Sequence, residues 1–278
     1  MFAQNVSTQF ATVGGDRLAY RRLGKLGIPL IFLTHFRGTM DLVDPLLINS
    51  IAETRQVILL DNAGVGHSEG TIQSTLHESG STVVDFLTTI GVPKVDILGF
   101  SMGGMIAQSI AVNHPQVVNK LVLAGTQSSY SEGMVSADPQ IFEIAGGVSP
   151  TEEDMLHLFF YPSNTSRALG HAWWERTQER NVSGEERTTF VNQAGAQLQN
   201  EASANFTSDL GFFDQLKKVD MPVLITNGIV DIMTPTPNSY LMQSQLPNAQ
   251  LHIYPDAGHG HLYQVPQVFA KLLELFLG

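Results

Sequence analysis

Val95-Asp96-Ile97-Leu98-Gly99-Phe100-Ser101-Met102-Gly103-Gly104-Met105-Ile106-Ala107-Gln108-Ser109-Ile110-Ala111 is the stretch on which the reading of this chain turns. Val95 to Phe100 reads as an apolar strand, and Ile106, Ala107 and Ile110 put apolar side chains at helical spacing beyond it. Between them, Gly99-Phe100-Ser101-Met102-Gly103 has the pattern G-x-S-x-G. In that setting the pattern is a nucleophile elbow, a strained strand-to-helix turn that lifts a serine Oγ out of the end of a sheet. So tight a turn leaves no room for side chains two residues to either side of the serine, hence Gly99 and Gly103; Gly104 keeps the chain close beyond it. The helix that starts under Ser101 aims free N–H groups and its positive dipole end at any negative charge that develops there. As a bare pattern G-x-S-x-G is weak. The strand before it and the helix after it give it weight.

Outward from the elbow, strands and helices alternate. Toward the N-terminus, Thr8 to Leu23 reads as a hairpin turning at Gly14-Gly15-Asp16. Ile28 to Phe36 is a continuous apolar run, and continuity implies burial on both faces. Thr39 to Glu53 reads as a loop and short helix, and Gln56 to Asn62 as a second buried strand closed by Ala63-Gly64-Val65-Gly66. Glu78 to Ile90 has helical spacing with Gly91 as its stop. Beyond the elbow come a strand over Val117 to Gly125, another over Pro222 to Gly228, a helix over Pro237 to Leu246, a last strand over Gln250 to Tyr254 and a helix over Val265 to Leu277. This alternation predicts an α/β fold, a mostly parallel central sheet flanked by helices. It breaks between Gln127 and about Leu210, a polar, mainly helical stretch with Glu152-Glu153-Asp154 opening one segment. The expected organisation is a core made of 1–126 and 211–278, with 127–210 inserted as a helical cap over the carboxyl edge of the sheet.

Composition narrows the function classes. A chain of 278 residues with 43% hydrophobic and 15% charged residues suits one large globular domain and argues against disorder. A net charge of −11 makes nucleic acid and anionic membrane poor partners. The absence of cysteine excludes a thiol nucleophile, disulfides and a cysteine zinc site. Met1 to Phe10 shows no secretory signal and no apolar run is long enough to span a bilayer, so the expected location is cytoplasmic. A homodimer is compatible with all of this.

A serine hydroxyl is a feeble nucleophile until a base takes its proton and a third group fixes the base. In open α/β sheets such groups gather beyond the carboxyl ends of the strands. His259 follows the last strand in Gly258-His259-Gly260, and Asp231 follows the strand before it. The order Ser101, Asp231, His259 is that of a hydrolase built on this elbow. Weighed against them, His261 lies two residues beyond His259, Asp256 reads as a turn former and Asp61 as a loop-capping carboxylate. His35 reads as an orienting or structural group, and His171 is a weaker pocket candidate beside the tryptophans. No spacing suggests a metal, and Gly64-Val65-Gly66 is too short for a dinucleotide fingerprint, so no cofactor is called for. An oxyanion hole needs two backbone donors. One is expected from Met102, the other from the loop after the strand ending near Phe36.

The chain resembles α/β-hydrolase fold proteins of the serine esterase and cofactor-free haloperoxidase (perhydrolase) type. The resemblance rests on Leu30–Phe36, Asp61-Asn62-Ala63-Gly64-Val65-Gly66-His67-Ser68, the elbow, Asn227-Gly228 with Asp231, and Ala257-Gly258-His259. In that family a His-Gly pair precedes the first oxyanion donor. Here Thr34-His35 stands in its place, which aligns Phe36 with the donor, or Arg37 if the loop is shifted by one residue. The resemblance also implies that a serine at the elbow, where epoxide hydrolases and haloalkane dehalogenases carry aspartate, sets this chain apart from them. The expected reaction is cleavage of a carboxylic ester or lactone. Perhydrolysis, carbon–carbon bond hydrolysis, action on a carrier-bound acyl chain, and a small-ligand receptor that keeps the hydrolase shell are the alternatives. Phe36, Met102, Trp173 and Trp174, with Phe159, Phe160 and Tyr161, are expected to form an apolar pocket over Ser101, the alternative for the aromatic residues being to pack inside the cap.

Overall fold

The computed structural model of the chain describes residues 2–25 and 27–278, so Met1, at the head of the stretch read for a leader, lies outside it. β1 (Gln9–Val13) and β2 (Asp16–Gly24) make the N-terminal hairpin, with Val13 opposite Asp16. Gly14 and Gly15 between them have φ of 60° and 105°, which a two-residue connection matching the twist of its strands requires. There follow β3 (Leu30–Leu33), α1 (Pro45–Ala52), β4 (Gln56–Leu60), α2 (Leu76–Thr89), β5 (Val95–Phe100), α3 (Met102–Asn113) and β6 (Val118–Ala124). The stretch between β6 and β7 holds α4 (Pro139–Ala145), α5 (Glu152–Phe159), α6 (Asn164–Thr177), α7 (Gln193–Thr207) and α8 (Phe212–Gln215). β7 (Val223–Gly228), α9 (Pro237–Gln245), β8 (Ala249–Tyr254), α10 (His261–Gln264) and α11 (Pro266–Leu277) complete the chain.

The strands form one sheet in the order β1-β2-β4-β3-β5-β6-β7-β8, antiparallel at the β1–β2 and β2–β4 pairs and parallel from β4 to β8. Side chains alternate across it. Phe32, Leu59, Leu98, Phe100 and Val122 pack with α1, α11 and the inner faces of α4, α5 and α6. Ile31, Ile58, Ile97, Leu121 and Ile225 pack with α2, α3 and α9. Each such side chain contributes about 1.5–3 kcal/mol by leaving water. Two-sided burial is why these strands read as unbroken apolar runs. Asp96 interrupts one of them, and its carboxylate is met by Arg55 at 3.0 Å and Asn119 at 2.7 Å.

Local signals set the helix starts. Thr75 and Glu78 form a reciprocal cap on α2, and Thr151 with Asp154 does the same on α5, where Glu152, Glu153 and Asp154 also oppose the positive end of the dipole. Among the described residues no helix is long and apolar enough to cross a membrane.

The strand expected over Ile28 to Phe36 ends at Leu33. Thr34 to Gly38 turn out of the sheet instead, with Arg37 at φ 62°, Gly38 N–H donating to His35 O at 2.9 Å and Thr34 Oγ1 donating to Gly38 O at 3.1 Å. Apolarity alone did not mark that exit.

Candidate active site

Ser101 stands between β5 and α3 with φ 58° and ψ −121°. An L residue there stores roughly 1–3 kcal/mol of strain, so the surroundings must over-determine it. They do. Ser101 N–H donates to Ala124 O at 2.9 Å; Ser101 O accepts from Gly104 N–H at 2.8 Å and from the Thr126 hydroxyl at 2.7 Å. A Cβ on Gly99 would run into the backbone of Gly103 and Gly104, and one on Gly103 into Leu33 O. The glycines are therefore required by close approach of the chain on both sides of the serine.

His259 follows β8 and is fully buried, its ring 4.9 Å from that of Phe100 and 5.2 Å from that of Phe159. Its Nδ1 lies 2.7 Å from Asp231 Oδ2. A carboxylate only accepts, so Nδ1 donates its N–H to Asp231. Nε2 has no hydrogen-bond partner among the described residues. His259 and Ser101 line the same small chamber, and no hydrogen bond joins Nε2 to the Ser101 hydroxyl. Such bonds are often long before substrate binds.

The loop after β7 fixes Asp231. Its Oδ1 accepts from Met233 N–H at 2.8 Å and Thr234 N–H at 2.9 Å, and its Oδ2 accepts from the Thr234 hydroxyl at 2.8 Å as well as from His259. Burial pushes this carboxyl up, but the facing His259 and the bonds from Thr234 outweigh it and hold it below the usual carboxylate range. It stays an anion beside the imidazole.

Met102 and Phe36 flank the serine. Among the described residues neither backbone N–H donates to another protein group. Arg37 N–H, by contrast, is taken up by Gln199 Oε1 at 2.8 Å. Of the two loop positions left open by the sequence, Phe36 is thus the one with a free amide. His35 holds that loop from below: its Nδ1–H donates to Phe36 O at 2.8 Å, and burial pushes its pKa down to about 4, which keeps it neutral.

The rivals lie elsewhere. His261 is buried and bonded to the Thr226 hydroxyl at 2.9 Å and to His259 O at 3.0 Å. Asp61 accepts from Met40 N–H at 2.7 Å and His67 N–H at 3.0 Å, closing two loops. Asp256 sits in a turn at φ 51°, and His171 is exposed and paired with Glu152 at 2.7 Å.

Two cavities meet at Ser101. One, of about 20 Å³, is walled by His35, Met155, Leu158, Phe159, Phe190 and His259 among others. The second, a cleft of about 720 Å³, runs from Ser101 and Met102 along one face of α7. Phe36, Ser101 and Met233 border both. Of the residues expected at the pocket, Phe36, Met102 and Phe159 are there. Trp173 and Trp174 are not: neither borders either cavity. Trp173 is buried in a stack with Phe159 and Tyr263, at 5.6 and 5.5 Å, and Trp174 packs on Phe190 at 6.5 Å. Large aromatic faces bury most area against one another, which draws Trp173 into the packing between α5, α6 and α10 and Trp174 onto Phe190. Sequence reasoning missed the α7 face. Its signal was a helix of amides and small residues, Gln193 to Thr207, whose one charged residue is Glu201.

Known proteins share this fold. A 2-hydroxymuconate semialdehyde hydrolase of Pseudomonas putida is 26% identical over 231 residues, covering 81% of this chain and 78% of that protein. A pimeloyl-[acyl-carrier protein] methyl ester esterase of Nitrosomonas europaea is 26% identical over 237 residues, covering 82% and 87%. The solved structure of an alpha/beta hydrolase fold protein from Chitinophaga pinensis superposes with a TM-score of 0.89 at 34% identity, over 100% of this chain and 99% of that one. The profile of the alpha/beta hydrolase fold family matches residues 28–264. An elbow serine beyond a mostly parallel sheet, a buried carboxylate–imidazole pair beside it and a family match over most of the length lead to one conclusion: this chain is an enzyme of the hydrolase class and belongs to the alpha/beta hydrolase fold family.

Proposed function

We propose that this hydrolase cleaves carboxylic esters through an acyl-enzyme on Ser101. What supports the reading above all is the Asp231–His259 pair, closed at 2.7 Å on one side of the ring and unpartnered at Nε2 on the other, with His259 and Ser101 both lining one small chamber. In this reading His259 Nε2 takes the Ser101 proton as Oγ attacks the carbonyl carbon. Asp231 steadies the imidazolium, a general-base contribution of about 10²–10⁴-fold. The developing oxyanion falls to the N–H groups of Phe36 and Met102, each such donor contributing roughly 3–4 kcal/mol to the transition state. The tetrahedral intermediate collapses as His259 returns its proton to the leaving oxygen. Water, deprotonated by the same nitrogen, then attacks the acyl-enzyme and releases the acid and Ser101. The inserted helices α4 to α7 act as a cap that walls both cavities and sets which esters enter.

Fluorophosphonate labelling with mass-spectrometric mapping tests the nucleophile, and pH-stat titration of methyl esters tests turnover. The adduct is expected on Ser101, and Ser101→Ala is expected to lose both label and turnover while melting near the parent temperature. Undiminished turnover in Ser101→Ala, or an adduct on another residue, overturns the reading.

A further inference from the structure

We infer that Ser101 divides its substrate unequally, taking esters of a small alcohol, of methanol or ethanol size, with a long uncharged acyl group that carries hydrogen-bonding groups. The inference rests on the ester-cleaving reading above and assigns each half of the ester to one cavity.

The assignment follows from where the proton must go. When the tetrahedral intermediate collapses, the bond between the carbonyl carbon and the alkoxy oxygen breaks, and that oxygen receives the proton held on His259 Nε2. The alkoxy group therefore departs on the His259 side. His259 borders the small chamber and not the large cleft. At about 20 Å³ that chamber is little larger than the roughly 10–15 Å³ that one water needs by the same measure. Leu158 and Phe159 close it as buried core side chains. On another side stands Arg37, whose guanidinium donates to Val191 O at 2.7 Å and Gly147 O at 2.6 Å. A wall tied to the backbone at two places does not swing aside for a bulky alcohol. The same chamber suits the water that must reach His259 for deacylation.

The acyl group is left with the cleft. Its volume of about 720 Å³ lies in the range of sites for drug-sized ligands. Gln193, Gln197, Asn200, Ser203 and Thr207 fall on one face of α7 at helical spacing and line it, opposite Met102, Met105 and Met233. Methionine stems suit a chain of variable shape, and the amides and hydroxyls supply donors and acceptors along its length. No lining residue carries a formal charge. A carboxylate or ammonium lodged there would lose hydration without a counter-charge, which costs far more than it returns.

A set of esters read as kcat/KM by pH-stat tests this. Along methyl, ethyl, butyl and benzyl octanoate the value is expected to fall by ~10-fold or more after ethyl, since one misfit methylene is worth ~10–200-fold in a fitted apolar pocket. Along methyl acetate, butyrate and octanoate it is expected to rise. Dimethyl adipate is expected to exceed monomethyl adipate by ~10-fold or more at pH 8, where the latter is an anion. Phe190→Ala, at a partly buried wall of the small chamber, is expected to raise butyl and benzyl esters relative to methyl. Asn200→Lys, at an exposed position of the cleft, is expected to favour monomethyl adipate instead. A flat or inverted alcohol profile, or equal turnover of the two adipates, overturns the division while the fluorophosphonate adduct on Ser101 still stands. No turnover of any ester together with no adduct overturns the ester-cleaving reading and the division with it.

Discussion

Arg37 N–H donates to Gln199 Oε1 at 2.8 Å across 162 residues of chain, joining the loop after β3 to α7. Gln199 is thereby the partner that keeps the Arg37 amide occupied, whereas the Phe36 amide has no acceptor among the described residues. The Arg37 side chain reinforces the tie. Among the described residues its cation has no carboxylate partner; it is met by the carbonyls of Val191, Ala145 and Gly147 at 2.7, 3.2 and 2.6 Å. The last two sit at the C-terminal end of α4, where the helix dipole is negative. A single loop thus carries both the free amide beside the serine and the anchor for the inserted helices.

Gln199→Ala removes that acceptor from a buried N–H, which costs about 1–3 kcal/mol. It also frees the peptide between Phe36 and Arg37 to rotate. With Phe36 as an oxyanion donor, kcat is expected to fall by ~10-fold or more with little change in KM, because the donor acts in the transition state. Gln199→Glu keeps an acceptor oxygen and is expected to restore most of the rate. Steady-state kinetics with a methyl ester and a thermal melt separate the two effects: loss of stability without loss of kcat would remove Phe36 from the oxyanion hole.

Ser101→Gly tests the strain at the elbow by itself. Glycine reaches φ 58°, ψ −121° without the cost that serine bears there, about 1–3 kcal/mol, against which it loses roughly 0.5–1 kcal/mol of unfolded-state entropy. The inactive variant is expected to be as stable as the parent or up to about 2 kcal/mol more so, read as a shift in the urea midpoint at constant slope. A clear destabilisation would mean that the serine side chain supports the turn rather than strains it.

How much of this was legible in the sequence depends on what each residue answers to. Ser101, Gly99, Gly103, Asp231 and His259 stand at strand ends, and position after a strand is readable from apolar runs and glycines. The strands themselves are buried on both faces, so their pattern is strong. Trp173 and Trp174 answer instead to whichever surface buries most area in the folded chain, a tertiary outcome that helical spacing does not encode. The same holds for Arg37. A lone arginine in a polar loop reads as solvated, and only the arrival of the Val191, Ala145 and Gly147 carbonyls from far along the chain makes it a buried strut. The end of β3 was misplaced for a local reason: Phe36 continues the apolar run although the chain has already turned.

Asp41 ties the insertion to the core. It lies 2.7 Å from Arg21, a close pair by distance though not in hydrogen-bond geometry, 3.0 Å from Arg180 and 2.8 Å from the Thr188 hydroxyl. Burial raises its pKa, but Arg21 and the bonds from Thr188 outweigh this and hold the carboxyl below its usual range. Asp41→Asn leaves two buried guanidinium groups without their shared anion, and breaking such a pair costs about 3–5 kcal/mol. The expected result is a lowered urea midpoint and faster proteolysis between Thr177 and Phe190, where Thr188 would lose its acceptor and Arg180 would keep only Glu185 as an anionic partner. Unchanged cleavage there would mean that apolar contacts and the other polar ties, Arg37 to the Val191 and Gly147 carbonyls and Arg176 to Asp44 among them, hold this stretch without Asp41.

Two buried histidines set the response to acid. Burial pushes His35 down to about 4 and His261 down to about 3, from an ordinary value near 6.5. Between those limits the unfolded chain binds protons that the folded chain refuses. Stability is therefore undiminished by either group above about pH 6.5 and falls as the pH drops toward the folded values, by about 1.4 kcal/mol per pH unit for each. Asp61 works against them. Burial pushes its carboxyl up to about 6, so the folded chain holds a proton there that the unfolded one releases, and stability rises as the pH falls through 6. Asp231, held low, adds its loss only below the ordinary carboxylate range. The three slopes leave a net decline of about 1.4 kcal/mol per unit between pH 6 and 4. Urea unfolding at half-unit steps of pH reads it directly. His261→Gln keeps groups able to bond Thr226 and the His259 carbonyl but does not titrate, so its stability is expected to be nearly flat over that range. A variant as acid-sensitive as the parent would mean that His261 is protonated in the folded protein.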